Sequence, residues 1–97
     1  MGKRAYPPLT PSEVIAILTA LGFTKRGQEG SHAQYVRLAD EKRRASLVSV
    51  DTHYREFSDD LMHSMVRQSG FDRKEFYGAT KHTARRASVP FVEPELA

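Results

Sequence analysis

The sequence predicts one α+β domain in which a three-stranded antiparallel sheet carries two helices on one face. A capped helix with apolar residues at helical spacing comes first, three short β-prone runs separated by turn residues follow, and a second capped helix comes after them. The length of 97 residues and the hydrophobic content of 39% favour a single core, because smaller units bury surface inefficiently.

The first helix is predicted to begin at Pro11 and to run to Leu21. Thr10 supplies a hydroxyl N-cap, proline is favoured at the first helical position, and Glu13 completes a capping box. Gly22 suits the left-handed conformation that ends many helices. The apolar positions at i, i+3, i+4 and i+7 form one buried stripe, which consists of Val14, Ile17, Leu18 and Leu21.

Three predicted strands form a meander over residues 23–26, 32–38 and 45–50. The breaks at 27–30 and 39–43 are short enough for antiparallel hairpins. Alternation divides the middle strand into two sets of side chains, neither of them cleanly apolar, so it leaves open which set faces the helices. One set is His32, Gln34, Val36 and Leu38, and the other is Ala33, Tyr35 and Arg37.

The second helix follows a polar loop at 51–57 and has Ser58 as its predicted N-cap. It ends at Gly70, and its shared apolar face consists of Leu61, Met62, Met65 and Val66. Asp72 begins another acid-x-x-Glu cap, which predicts a short helical turn through Tyr77. The order α-β-β-β-α is that of a double-stranded-RNA-binding-like domain.

The predicted domain spans residues 10–78, between an N-terminal extension at 1–9 and a C-terminal tail at 79–97. After Gly78 the chain has two prolines, small residues and no helical periodicity, so we expect a flexible or partner-binding tail. Its segment at 89–92, Val-Pro-Phe-Val, is suited to adding to a sheet edge or to a partner.

Charge and composition limit the classes of function. Fifteen Lys and Arg against 12 Asp and Glu give a net charge of +3, and the basic residues cluster in the sheet region, which is compatible with a polyanionic partner. The absence of cysteine excludes a disulfide framework and a cysteine nucleophile. It also favours the reducing cytoplasm as the compartment. No apolar run approaches the roughly 20 residues of a membrane span, so we expect a soluble protein.

His32 is the main catalytic candidate. An imidazole both takes and gives a proton near neutral pH, which contributes about 10² to 10⁴ in rate. Gly30 permits the close approach of a phosphate, and the amides from Gly30 to His32 can donate to an anionic oxygen. The alternative is a histidine that only ends a strand in solvent. Ser31 is not expected to be a nucleophile activated by His32, because adjacent strand residues point to opposite faces. It is interpreted as a turn residue.

Two further histidines, His53 and His63, are weaker candidates for a functional role. His53, in the polar loop, is either a second proton-transfer or phosphate-binding group or an ordinary loop residue. His63 lies one helical turn after Asp59, but two ligands do not make a metal site, so none is predicted. The sequence also contains no phosphate-binding glycine-rich loop and no nucleotide-cofactor fingerprint, so no cofactor is expected.

Four residues of the sheet region are candidates for binding RNA. Lys25, Arg26 and Arg37 are suited to following a phosphate backbone, and Tyr35 is suited to stacking on a base. Charged strand edges also prevent aggregation, so a solvated face is the alternative interpretation.

The order of these features resembles the HicA family of toxins, small ribonucleases of toxin–antitoxin systems. The resemblance begins with the first helix and its stop, SEVIAILTALGF, and continues with Gly30-Ser31-His32 followed by an aromatic residue at 35. It extends through Val50-Asp-Thr-His53 to the second helix, LMHSMVRQSGF, with KEFY behind it. About 70 of the 97 residues are covered.

The resemblance implies an mRNA interferase with one catalytic histidine at His32, with no known metal, and held inactive by a HicB-type antitoxin. Gly30, Ser31 and His53 are the candidate supporting residues. One position departs from the family, since Asp51 stands where Val-Pro-x-His commonly has proline. That carboxylate adds negative charge near the proposed phosphate site and weakens the case for a catalytic His53.

The expected activity is metal-independent cleavage of RNA and not of DNA, because the attacking ribose 2′-hydroxyl belongs to the substrate. The alternative function is a non-catalytic RNA-binding module on the same double-stranded-RNA-binding-like fold.

Overall fold

The computed structural model describes residues 6–93 and confirms the predicted α+β class, with a three-stranded antiparallel sheet. In chain order the elements are α1 (Pro11–Ala20), β1 (Thr24–Glu29), β2 (His32–Arg37), β3 (Ser46–Asp51), α2 (Asp59–Ser69), α3 (Arg73–Tyr77) and α4 (Lys81–Ala87). Within this range no helix is long and apolar enough to cross a membrane.

The start of α1 has the predicted capping box. The hydroxyl of Thr10 accepts a hydrogen bond from the Glu13 backbone N–H at 3.2 Å, and the Glu13 carboxylate accepts one from the Thr10 N–H at 2.9 Å. Leu21 is the C-cap, and Gly22 adopts the left-handed conformation with φ of 94°. The observed helix therefore ends one residue before the predicted Leu21, since its last residue is Ala20.

The sheet has β2 at its centre, and its register decides which face meets the helices. Ala33 lies opposite Val50, and Tyr35 lies opposite Val48. All four are buried in one core with residues of α1 and α2, so both helices cover this inner face. Since side chains alternate along a strand, His32 lies on the outer face of the sheet. The predicted placement of both helices on one face is confirmed.

The first hairpin is tighter than predicted. β1 continues through Gly27 to Glu29, and the turn is reduced to Gly30 and Ser31. A β-bulge between Lys25 and Gly27 inserts one extra residue, which allows the strand to stay paired while its side-chain pattern changes. Gly30 has φ of 60°, a left-handed conformation that glycine adopts without steric cost.

The prediction of a tail without helix after Gly78 is wrong for the described residues 79–93. The Thr80 hydroxyl accepts from the Thr83 N–H at 3.1 Å and begins α4, whose Ala84 and Ala87 are buried in the core. Alanine gives no periodic signal of the kind that large apolar residues give, although its small side chain lets a helix pack closely. Partner binding by this segment stays a prediction.

The chain on both sides of the predicted 10–78 domain contributes to the core. Leu9 is fully buried, and the Tyr77 hydroxyl donates to the Pro7 carbonyl at 2.8 Å. On the C-terminal side, the Val92 N–H donates to the Gly78 carbonyl at 3.1 Å. Residues 1–5 and 94–97 of the predicted extension and tail lie outside the described residues.

Candidate active site

His32 is the first residue of the central strand, at the rim of the outer face. Its side chain is 62% exposed, which fits the prediction of an accessible imidazole. The register places Glu29 of β1 directly opposite it on one side and Asp51 of β3 directly opposite it on the other. The imidazole therefore stands between two carboxylate-bearing strands.

Of these two acids, Asp51 is the one in contact with the ring. The Asp51 Oδ2 lies 3.4 Å from the His32 Nε2, and the Asp51 side chain is 24% exposed. The Asp51 Oδ1 accepts a hydrogen bond from the His53 backbone N–H at 2.9 Å. That bond and one from the Ser31 side chain lower the pKa of Asp51, so it is an anion at neutral pH.

Gln28 of β1 and Thr52, the residue directly after β3, hold the turn before His32. The Ser31 carbonyl accepts hydrogen bonds from the Thr52 N–H at 2.8 Å and from the Thr52 hydroxyl at 3.0 Å. The Gln28 side-chain amide donates to the Gly30 carbonyl at 2.9 Å. These contacts set the position at which the backbone enters β2, and with it the base of the His32 side chain.

His53 lies beside this site without a recorded contact to the His32 ring. Its side chain is exposed, and its ring lies edge-on to Tyr54 with 6.0 Å between the centroids. Its recorded link to His32 runs through Asp51, which binds the His53 backbone. A role for His53 in proton transfer stays a prediction.

Tyr35 and Arg37 are not placed to bind RNA as predicted. Tyr35 is only 7% exposed on the inner face, so it packs in the core and has no free ring face for a base. The Arg37 Nε donates to the Leu21 carbonyl at 2.9 Å, and its Nη2 donates to Asp40 at 2.7 Å. Arg37 therefore joins the end of α1 to the loop after β2. Its hydrogen bond is the main cause that lowers the pKa of Asp40 to about 2.

Lys25 and Arg26 are exposed on the edge strand β1. Lys25 lies opposite Tyr35, so it leaves the sheet on the side away from His32, and its Nζ donates to the Gln28 side chain at 2.6 Å. Arg26 occupies the bulge. The predicted RNA-binding set is therefore reduced to two residues at one edge, and their contact with RNA stays a prediction.

The contact between Asp51 and His32 is the feature that sequence analysis missed. Asp51 stood out only as a negative charge in place of the family proline. The strand register pairs positions 32 and 51, and no local pattern in the sequence indicates that register. Among residues 6–93, no three His, Asp or Glu side chains lie close enough together to hold a metal ion.

Comparison with known protein families gives a match over most of the chain. The family model described as "HicA toxin of bacterial toxin-antitoxin" matches residues 11–71, more than half of the chain. The matched range contains α1, the whole sheet and α2, and it includes His32, Asp51 and His53. It ends before α3 and α4. Comparison with curated proteins gives no match.

Proposed function

This chain belongs to the HicA toxin family of bacterial toxin–antitoxin systems, and we propose that it is an mRNA-cleaving endoribonuclease with His32 as the catalytic residue. The observation that carries the proposal is the exposed imidazole at the rim of an open sheet face, beside an ionised carboxylate. A shallow, open site suits a long polymer better than a small molecule, because a polymer does not need an enclosing pocket.

The proposed reaction is an internal transesterification of RNA. The ribose 2′-oxygen attacks the adjacent phosphorus, the new O2′–P bond forms, and the P–O5′ bond breaks. His32 takes the proton of the 2′-hydroxyl, and the 5′-oxygen that leaves receives a proton from the resulting imidazolium or from water. The products are a 2′,3′-cyclic phosphate and a 5′-hydroxyl end. DNA is spared because it has no 2′-hydroxyl.

The residues around His32 have supporting roles in this proposal. Gly30 and Ser31 form the turn that presents the imidazole, and in this proposal backbone amides of the turn donate to an anionic oxygen of the RNA. Lys25 and Arg26, at the exposed edge of β1, neutralise phosphates of the RNA strand away from the reacting bond. His53 is a candidate second proton-transfer group.

A toxin of this kind requires a partner that keeps it inactive. We assign this role to a HicB-type antitoxin protein, acting in the cytoplasm where mRNA is present. A partner that covers the outer face of the sheet would block access to His32, since the ring lies at the rim of that face.

The first experiment compares wild-type protein with His32→Ala on end-labelled RNA in EDTA. We expect the variant to cleave about 10² to 10⁴ times more slowly while it keeps its fold and its RNA affinity. His63→Ala is the matched control, because His63 is an exposed histidine on α2 and lies outside the proposed site. An RNA with one 2′-deoxynucleotide at the cleaved step should resist cleavage there.

Cleavage by His32→Ala at the wild-type rate would refute the assignment of His32. Wild-type protein that binds RNA with a steep salt dependence but yields no product would instead support the non-catalytic RNA-binding module.

A further inference from the structure

We propose that Asp51 is a positioning residue for His32, which holds the imidazole with its Nε2–H toward the carboxylate and leaves Nδ1 as the atom that exchanges a proton with RNA. This inference rests on the proposed ribonuclease function and deepens it. It gives Asp51 a role opposite to the one expected from its charge alone, which was to oppose the binding of phosphate.

The two ring nitrogens of His32 have different surroundings. Nε2 lies 3.4 Å from the Asp51 Oδ2. This is an ion-pair contact, longer than the 2.6 Å hydrogen bond between His82 and Glu13. An unprotonated Nε2 would place its lone pair near an anionic oxygen, so electrostatic repulsion favours the tautomer with the proton on Nε2. The lone pair of the neutral ring is then on Nδ1. No hydrogen bond to Nδ1 is recorded within residues 6–93, and the side chain is largely exposed.

Asp51 is itself held in place, which a positioning residue requires. Its Oδ1 accepts from the His53 N–H at 2.9 Å, so the rotation of the carboxylate is restricted. The next residue, Thr52, donates twice to the Ser31 carbonyl directly before His32. The acid and the imidazole therefore stand on two backbone segments that are hydrogen-bonded to each other.

Glu29 shows that strand register alone does not produce this contact. It lies opposite His32 on β1 as Asp51 does on β3, and it carries the same charge. Its carboxylate is exposed and makes no recorded ion pair with His32. Among residues 6–93, the titratable side chains on the segments next to His32 are Glu29 from β1, Asp51 at the end of β3, and His53 from the following loop.

The role of Asp51 extends through the reaction. When Nδ1 takes the proton of the 2′-hydroxyl, the ring becomes an imidazolium and the carboxylate becomes its counter-ion. Because the pair is partly exposed, water screens much of this attraction. We therefore expect a moderate effect on rate, about tenfold, and not the loss expected when the imidazole itself is removed.

The test compares Asp51→Asn with Glu29→Gln, since each variant removes one negative charge next to His32 and keeps the shape of the side chain. Asparagine keeps an oxygen that can accept from the His53 N–H, so the loop should stay folded. We expect Asp51→Asn to lower kcat about tenfold with little change in KM. Glu29→Gln should stay within about twofold of wild type.

The second readout is the ¹⁵N chemical shifts of the His32 ring in its neutral form, which report the tautomer without RNA or cleavage. Wild type and Glu29→Gln should have the proton on Nε2, and Asp51→Asn should show a mixture of tautomers. Equal effects of the two substitutions on kcat, or a wild-type ring with its proton on Nδ1, would overturn the inference.

The two readouts separate the failure of this inference from that of the proposed function. If wild-type protein cleaves no RNA but its ring carries the proton on Nε2 in an Asp51-dependent way, the ribonuclease proposal fails and the positioning contact stands. If cleavage depends on His32 but the tautomer and kcat do not respond to Asp51→Asn, the proposed function stands and the positioning role is refuted.

Discussion

Residues 6–93 contain two histidine–carboxylate pairs, and they differ in their surroundings. His32 and Asp51 meet at the rim of the sheet at 3.4 Å, while His82 of α4 and Glu13 of α1 meet at 2.6 Å. The exposures of the two imidazoles are nearly the same, 62% and 67%. The exposure of the ring therefore does not distinguish the pair that we propose to be reactive.

The other contacts of each acid make the difference. Glu13 also accepts from the Thr10 backbone at 2.9 Å and from the Arg86 Nη1 on both oxygens, at 2.9 and 3.0 Å. Burial alone would raise the pKa of Glu13, but these hydrogen bonds outweigh it and the pKa is lowered. Both oxygens of the Glu13 carboxylate accept hydrogen bonds from several donors, and the residue links α4 to the start of α1.

Asp51 makes no ion pair with Lys or Arg among residues 6–93, and the titratable side chain in contact with its carboxylate is the His32 imidazole. A carboxylate already neutralised by a guanidinium serves packing, whereas one whose counter-ion is a histidine can respond when that histidine takes a proton. The pair on α4 therefore links two helices, and the pair on the sheet is the one that we propose to take part in catalysis.

The largest expected effect on RNA cleavage comes from replacing the histidine of each pair, His32 or His82, by alanine. His32→Ala should lower RNA cleavage about 10² to 10⁴-fold with little change in thermal stability. His82→Ala should leave cleavage within about twofold and lower stability slightly, since it removes a partly exposed contact. Cleavage rates and unfolding curves of both variants check this. A loss of cleavage in His82→Ala similar to that in His32→Ala would remove the distinction between the two pairs.

The next effect tests whether the segment that carries His82 belongs to the folded core. A Cβ at Gly78 would lie 2.6 Å from the Pro90 carbonyl oxygen and 2.9 Å from the Lys74 carbonyl oxygen. We expect Gly78→Ala to lower the free energy of unfolding by about 1–3 kcal/mol, because backbone atoms must move. Urea unfolding measures it. Gly27→Ala is the control, since a Cβ there meets nothing within 4 Å.

A smaller effect on the free energy of unfolding is expected for Glu13. Glu13→Gln keeps an acceptor for the Thr10 N–H but removes the ion pair with Arg86, so we expect the free energy of unfolding to fall by about 1 kcal/mol at neutral pH. The folded-state pKa of Glu13 lies below its ordinary value of 4.5. The stabilisation is therefore present above pH 4.5 and is lost as the pH falls through the lowered pKa.

Unfolding curves of wild type and Glu13→Gln between about pH 3 and 7 measure this dependence. The difference between the two proteins should shrink toward the acid end of the range. A difference in stability that stays constant with pH would show that the Glu13 charge does not stabilise the contact between α1 and α4. RNA cleavage at neutral pH should be the same in both proteins.

The smallest effect concerns Lys25 and Arg26 on the edge strand β1, away from the pair of His32 and Asp51. The double variant Lys25→Ala, Arg26→Ala should bind RNA a few-fold more weakly. It should also lower the slope of log affinity against log salt by about 0.7 for each phosphate that the protein no longer neutralises. Lys81→Ala on α4 is the control and should leave the slope unchanged. An unchanged slope in the double variant would exclude Lys25 and Arg26 from the RNA interface.

Local signals in the sequence predicted the helices well and the C-terminal segment poorly. The capping box at Thr10 and Glu13 predicted the start of α1, because both partners of a cap lie within four residues of each other. The α4 helix was missed because Ala84 and Ala87 are small and give no apolar periodicity. They become core residues only when other parts of the chain pack against them.

The residues of the candidate site also divide into those that the sequence predicted correctly and those that it did not. The Gly-Ser-His turn and the exposed His32 were predictable, since turn residues next to a strand end indicate a rim. Tyr35 and Arg37 were assigned to RNA, but the structure places Tyr35 in the core and uses Arg37 to bind the end of α1. Alternation along one strand gives two faces without stating which is inside, because that depends on distant residues.

By itself, the sequence determined the class of fold, the caps of the first two helices and the imidazole at the start of the middle strand. Periodicity and capping act between residues a few positions apart, so they can be recognised from sequence. Tertiary structure alone decided that Asp51 faces His32, that Arg86 neutralises Glu13 and that residues 79–93 complete the core. Those contacts join residues that are distant in the chain, and their geometry depends on strand register and helix packing.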